Sequence, residues 1–226
     1  MNQIELKLNY KQNVQKINVD DGNYKNVCFP DEYLLAIYDI VKFTKELCER
    51  ENIEYFIDSG TLLGCVRDGG QILYDNDADF GITPNNFKKL LPFKNEFEKH
   101  NYEFVIFKNN KIQIQNKNIY LIQAENSLNK NIEIRIYAGL DILIYKPVKD
   151  NYLTKYVIQD NEFRNEYPHC WHYHKHLYPL KDYTYRCLDA EPLILQGPNN
   201  PKNYLDGTYP AWETKKIYDH KTYIIQ

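Results

Sequence analysis

Asp75, Asp77 and Asp79 are the most chemically suggestive run in this chain, and they lie in the segment YFIDSGTLLGCVRDGGQILYDNDADFGI from Tyr55 to Ile82. Asp77 and Asp79 are one residue apart in apolar surroundings: Ile72, Leu73 and Tyr74 before, Phe80 and Ile82 after. On a strand that spacing sends both carboxylates to one face. Two oxygen ligands side by side suit Mg²⁺ or Mn²⁺. A bare Asp-x-Asp is common in solvated loops, so its setting has to carry the reading. Here Ser59-Gly60-Thr61 follows a strand-like run, Glu54 to Ile57, and precedes a helix-like one, Leu62 to Arg67. Strand, small-residue turn and helix start, in that order, form a phosphate cradle of backbone N–H groups. The combination is that of a metal-dependent, phosphate-handling site.

The elements that must position these residues follow from periodicity. From Pro30, which suits a first helical turn, Leu34, Ile37, Tyr38, Val41 and Leu47 recur at helical spacing to about Arg50. Thr83-Pro84 predicts a cap and first turn for a helix from about Asn85 to His100. Strand-like runs follow at Glu103 to Phe107, Ile112 to Gln115, Ile119 to Ile122, Ile132 to Ile136 and Leu140 to Tyr145, separated by Asn/Lys turns. The expected architecture is α+β: a mixed sheet carrying the acidic cluster, with helices packed against it. Residues 1–27 are polar, with short alternating pieces that suggest an edge hairpin or a loose extension. With 226 residues, no internal repeat and no Gly-, Ser- or Pro-rich linker, a single domain over residues 1–226 is expected.

The order Asp58-Ser59-Gly60-Thr61-Leu62-Leu63-Gly64, then Arg67, the pair Gly69 and Gly70, and Ile72 followed by Asp75, Asp77 and Asp79, resembles the signature of the LicD/fukutin family of phosphotransferases. Those proteins resemble nucleotidyltransferases in fold. They move a phospho-alcohol such as phosphocholine or phosphoribitol from a CDP-linked donor onto a sugar hydroxyl. Where the family usually reads Pro-Trp-Asp-Asp-Asp-x-Asp, this chain has Leu73-Tyr74-Asp75-Asn76-Asp77-Ala78-Asp79. Asn76 alternates away from the face shared by the three aspartates, so the change is expected to leave metal binding intact. Further on, Leu177-Tyr178-Pro179-Leu180, Tyr183, Tyr185, the run Pro198 to Leu205, Gly207 and Tyr209 are similar to the family's closing pattern.

The resemblance implies a nucleotidyltransferase-like sheet and a third carboxylate from a neighbouring strand, because two metals have to be held from more than one side. Asp141 is the candidate, alone and acidic in Gly139-Leu140-Asp141-Ile142-Leu143-Ile144-Tyr145. An unpaired charge there is costly without a metal or a partner such as Arg135. Asp77, Asp79 and Asp141 are thus the implied ligands of Mg²⁺ or Mn²⁺, and Asp75 or Asp141 the implied general base. Ser59, Gly60, Thr61 and Arg67 are the implied donor contacts. Asp58 reads equally as a turn cap or a donor contact. The implied partners are a CDP-alcohol donor and a glycan acceptor.

Two other readings share some of these features. A nucleotidyltransferase moving NMP from an NTP to a small molecule or RNA uses the same turn and carboxylates, but explains the Leu-Leu-Gly-x-x-Arg block poorly. A non-catalytic nucleotide- or glycan-binding relative needs none of the carboxylates, yet all are present. A net charge of −3 and a pI near 6.1, with no Lys/Arg stripe, argue against a duplex nucleic acid partner. No apolar run at the N-terminus is long enough for a signal peptide or membrane span. Cys28, Cys48, Cys65, Cys170 and Cys187 are odd in number and contain no CxxC, which predicts reduced thiols and a cytoplasmic setting. His169, Cys170, His172, His174 and His176 crowd one segment that fits a zinc site, a substrate-contacting loop or an ordinary polar loop. The 21 tyrosines are expected to pack rather than to stack on sugars.

Overall fold

The helix expected after Pro30 is α1, Asp31–Arg50, in a computed structural model that describes residues 25–73, 75–107, 111–125, 131–150, 153–159, 164–165 and 173–214. Pro30 itself stays extended (φ −67°, ψ 152°), and its carbonyl accepts the N–H groups of Tyr33 and Leu34. It therefore precedes the helix instead of filling the first turn. Leu34, Ile37, Tyr38, Val41 and Leu47 are all buried, so the helical spacing reads out as one apolar face. The helix ends where Asn52 adopts φ 52° and the Ile53 N–H reaches back to the Cys48 carbonyl at 2.8 Å. Asn tolerates that left-handed conformation and turns the chain toward the sheet.

A short strand β1, Lys25–Cys28, precedes α1. After α1 come β2 (Tyr55–Ile57), α2 (Ser59–Arg67), β3 (Ala78–Ile82), α3 (Pro84–Leu90), a 3₁₀ turn (Leu91–Phe93) and α4 (Lys94–Lys99). The single helix expected to about His100 is thus broken in two. Pro92 has no N–H to donate and its ring clashes with the preceding turn, so the helix tightens there and restarts. Then follow β4 (Tyr102–Ile106), β5 (Ile112–Asn116), β6 (Tyr120–Glu125), β7 (Asn131–Ile136), β8 (Gly139–Asp150), β9 (Leu153–Ile158), β10 (Tyr173–His174), β11 (Lys181–Tyr185), β12 (Leu193–Gly197) and α5 (Lys202–Thr208).

The central sheet has seven strands in the order β10-β9-β8-β3-β2, with β5 also on β8 and β4 on β5. The first half of β8 takes β3 in parallel and β5 antiparallel, and its second half pairs with β9. The result is the mixed sheet of an α+β fold. A separate sheet joins β1, β6 and β7, and β11 with β12 forms a hairpin. The expectation of a hairpin or extension over residues 1–27 lies, apart from β1, outside the described residues.

Alternation along β8 divides the sheet's two faces. Leu140, Ile142 and Ile144 join the main core with α1, while Leu143 and Tyr145 join a smaller cluster with Phe56, Ile158 and Leu177. Asp141 alternates onto the second face, directly opposite Asp79 of β3. Phe56, opposite Gly81, also belongs to this face, and so does Asp58 two residues on. The face away from α1 thus gathers the carboxylates.

Candidate active site

At the end of β2, Asp58 stays extended and Ser59 swings to φ 44°. The helix α2 begins at Ser59, so Ser59, Gly60 and Thr61 form its first turn instead of a loop before it. First-turn N–H groups have no acceptor within their own helix. Two hydrogen bonds lock this turn to β3: the Asp58 N–H donates to the Asp79 carbonyl at 3.0 Å, and the Asp79 N–H donates to Thr61 Oγ1 at 2.8 Å. Thr61, expected to face the donor, therefore uses its hydroxyl oxygen to hold the acidic strand. Ser59 Oγ lies 3.4 Å from the Tyr204 hydroxyl.

Of the three clustered aspartates only Asp79 lies on a strand. β3 starts at Ala78, and Asp75 and Asp77 occupy the irregular stretch before it, which corrects the expectation that one strand face presents them. They converge by loop geometry instead. The Asp75 N–H bonds the Ile72 carbonyl and the Asn76 N–H bonds Asp75 Oδ1, both at 3.0 Å. Tyr33 of α1 donates its hydroxyl to the Asn76 carbonyl at 2.5 Å. Gln71 Nε2 reaches the Asp77 carbonyl at 3.5 Å, while Gln71 Oε1 accepts the Tyr185 hydroxyl at 2.5 Å. One oxygen from each of Asp75, Asp77 and Asp79 then lies within 4.8 Å of the others.

Gly60 explains how a helix turn and these carboxylates approach each other. A Cβ there would sit 2.1 Å from Asp75 Oδ2 and 3.6 Å from Asp79 Oδ2. Asp77 and Asp79 are only 4% and 9% exposed, so three like charges converge where water screens them poorly. The donor set is all oxygen and all anionic, which fits a hard divalent ion such as Mg²⁺ or Mn²⁺. Similarly, a Cβ on Gly70 would fall 2.1 Å from the Arg186 carbonyl, at the isolated bridge that fastens the start of the acidic loop to the residue just after β11.

Asp141 stands one strand away. It is 2% exposed, Gln113 Nε2 donates to its Oδ1 at 3.0 Å, and Lys111 Nζ lies 2.6 Å from its Oδ2. Lys111 thus forms an ion pair with Asp141, and the side chain of Arg135, the partner considered from sequence, lies outside the described residues. Arg67 sits in the last turn of α2, its guanidinium forked onto Asp68 with Nε at 3.0 and 2.9 Å from the two oxygens. The structure thus brings Asp75, Asp77 and Asp79 together against Gly60, keeps Asp141 adjacent to Asp79, and turns Arg67 toward Asp68.

Asp58 occupies the N-cap position of α2, yet its side chain makes no capping bond. Its fully buried carboxylate instead accepts the Tyr145 hydroxyl and lies 2.9 Å from His174 Nε2. Burial first, and then the charge of Asp58, push the Tyr145 phenol well above its ordinary value. His174 stacks on Tyr204, with ring centroids 4.2 Å apart. The proposed zinc ligands His169, Cys170 and His172 lie outside the described residues. Cys48, Cys65 and Cys187 are buried free thiols. Among the described residues no helix is long and apolar enough to cross a membrane.

A profile described as "LicD/FKTN/FKRP, nucleotidyltransferase domain" matches residues 52–190, the stretch containing the turn, α2, the acidic loop and Asp141. The chain belongs to this family. It is 30% identical over 204 residues to an uncharacterized protein of Rickettsia typhi, covering 89% of this chain and 54% of that one. Against an uncharacterized protein of Rickettsia prowazekii it is 29% identical over 203 residues, covering 90% and 65%. A shorter match, 31% over 74 residues, links it to the lipopolysaccharide cholinephosphotransferase LicD of Haemophilus influenzae, covering 32% of this chain and 28% of that protein. The chain thus spans between about half and two thirds of the length of the two rickettsial relatives.

Several supports of the site come from outside the LicD-type segment. Tyr33, which holds the acidic loop, precedes it, and Tyr204, which stacks on His174, follows it. Sequence reasoning placed Tyr204 in the closing pattern but gave it no role at the site, and it gave none to Tyr33, Gln71, Lys111 or Tyr145. The alternation that places Phe56 and Asp58 on one face carries a weak signal for Asp58. Nothing local marks tyrosines whose partners lie 43 or 145 residues away.

Proposed function

We propose that this protein transfers a phospho-alcohol, of the phosphocholine or phosphoribitol type, from a CDP-linked donor to a sugar hydroxyl in glycan modification, with Mg²⁺ or Mn²⁺. The observation that carries the reading is the convergence of Asp75, Asp77 and Asp79 on the Gly60 turn of α2, in a chain of the LicD/FKTN/FKRP family. These three residues would hold the cation, with Asp141 available from β8. A bound divalent ion neutralises charge on the donor pyrophosphate and on the departing nucleotide. Gly60 and Thr61 present first-turn N–H groups as phosphate donors. Asp75, partly buried, or Asp141 accepts the proton of the sugar hydroxyl as its oxygen attacks the phosphorus bearing the alcohol. The bond to CMP breaks and CMP leaves. A nucleotide-linked donor and the buried thiols suit a reducing, cytoplasmic setting.

The test is a thermal-shift panel of CDP-choline, CDP-ribitol, CDP-glycerol, UDP-sugars, ATP and CTP with Mg²⁺ or Mn²⁺, repeated in EDTA. A ligand that binds only the folded state raises its melting temperature. Metal-dependent stabilisation by one CDP-alcohol names the donor, to be followed by turnover on candidate glycans. A response to NTPs alone moves the reading to nucleotidyl transfer, and silence throughout points to a non-catalytic relative.

A further inference from the structure

We infer that Lys111 is a built-in counter-cation for Asp141, which a divalent metal displaces and which then serves the donor pyrophosphate. The inference rests on the metal-dependent reading above. Asp141 is a buried carboxylate, and its contacts with Gln113 and Lys111 differ in kind. Gln113, itself 2% exposed, donates to Oδ1 at 3.0 Å from the strand directly opposite in the antiparallel pair. Lys111 Nζ, on a side chain 17% exposed, holds Oδ2 at 2.6 Å. The first is a rigid neutral contact, and the second is a removable charge on a four-carbon stem.

Position makes the exchange specific. Asp141 pairs in register with Asp79, so the two carboxylates leave the same sheet face from neighbouring strands, about 5 Å apart at the backbone. A divalent ion bound at Asp79 that recruited Asp141 from the neighbouring strand would compete with Lys111 for Oδ2. An ammonium and a divalent ion cannot both occupy that oxygen's coordination space without strong repulsion. Lys111 can withdraw without disturbing the sheet. Its backbone is pinned at the end of the β4–β5 hairpin by the Phe107 N–H, 2.9 Å from the Lys111 carbonyl, and its ammonium lies 5.8 Å from the Phe107 ring centroid. A displaced ammonium beside the cluster is a point charge suited to a pyrophosphate oxygen.

A purely structural ion pair and an exchangeable one differ in sign. If Lys111 competes with metal, removing its charge tightens metal binding; if it only braces Asp141, removal leaves metal affinity unchanged or weaker. The experiment is Mn²⁺ titration of the apo-protein, followed by inorganic pyrophosphate titration at saturating Mn²⁺, for wild type, Lys111→Met, Lys111→Arg and Asp79→Asn. Lys111→Gln replaces the Met variant if that one fails to fold. The neutral variant is expected to bind Mn²⁺ about tenfold more tightly and pyrophosphate about tenfold more weakly, as loss of one charge-assisted contact implies. Lys111→Arg is expected to stay within about twofold of wild type for Mn²⁺. Unchanged or weakened Mn²⁺ affinity in the neutral variant, or unchanged pyrophosphate affinity, overturns the exchange. Asp79→Asn separates the two failures: Mn²⁺ binding equal to wild type there removes the metal site itself, whereas its loss beside an unresponsive Lys111→Met removes only the role of Lys111.

Discussion

His174 Nε2 lies 2.9 Å from Asp58 Oδ1, across 116 residues of chain. The contact fastens β10 to the residue that opens α2, and both side chains are almost wholly removed from water. Through Tyr204, stacked on His174 and 3.4 Å from Ser59 Oγ, the same contact braces the first turn of α2 from the C-terminal side. Removing His174 leaves the buried Asp58 side chain short of a hydrogen-bond partner, at about 3 kcal/mol. His174→Ala is therefore expected to lower the melting temperature by roughly 10 °C, and His174→Gln by less because it keeps a donor for Asp58. Differential scanning calorimetry decides it, and an unchanged transition in His174→Ala would show that the pair contributes nothing.

Gly60→Ala is expected to damage the site more than the fold. The added methyl carbon meets Asp75 Oδ2 at 2.1 Å, but that atom is the end of a rotatable side chain and not backbone. The carboxylate swings aside at small cost, and the three-oxygen cluster is lost with it. Mn²⁺ affinity should fall at least about tenfold while the metal-free melting temperature drops by no more than about 4 °C. Isothermal titration beside a thermal melt separates the two effects; a large melting loss with intact Mn²⁺ affinity would contradict the geometry.

Asp77→Ala and Asp79→Ala test the cluster from the other side. Each removes one of three like charges held within 4.8 Å, so the metal-free protein should melt within a few degrees of wild type. Stabilisation by Mn²⁺ should disappear, and with it transfer activity. Wild type in EDTA should behave like these variants. Full activity in either one would remove the assignment.

The distances over which residues cooperate decided what the sequence could disclose. Leu34, Ile37 and Val41 announced α1 because a helix face repeats within one turn. Ser59, Gly60 and the three aspartates were legible because they sit in one 28-residue stretch with a strongly patterned order. Pro92 was a local signal that the longer helical pattern masked. Asp77 was expected on β3, but the strand begins one residue later, since the acidic loop takes its shape from Tyr33 and Gln71 and not from strand pairing. Lys111 against Asp141, and His174 against Asp58, depend on which strands become neighbours. That information belongs to the assembled sheet, so no window along the chain carries it.

Buried acids that lose protons only at high pH make the fold sensitive to alkali. Burial pushes the Cys48 and Cys65 thiols from 9.0 up to about 12, and burial first pushes Cys187 up to about 11. Tyr102 moves from 10.0 to about 12 for the same leading reason. In the unfolded chain these groups ionise at their ordinary values, so above pH 9 the unfolded state has released protons that the native state still holds. Stability is then fully present below about pH 9 and declines as pH rises through the window from 9 to 12. Urea unfolding at pH 7.5, 8.5, 9.5 and 10.5 should show midpoints equal at the two lower values and falling at the two higher. In parallel, iodoacetamide at pH 8.5 should leave Cys48, Cys65 and Cys187 unmodified until urea exposes them, because the thiolate is the reactive form. Rapid alkylation of these three in the native protein, or a midpoint that holds steady to pH 10.5, would mean the thiols are not buried as this fold places them.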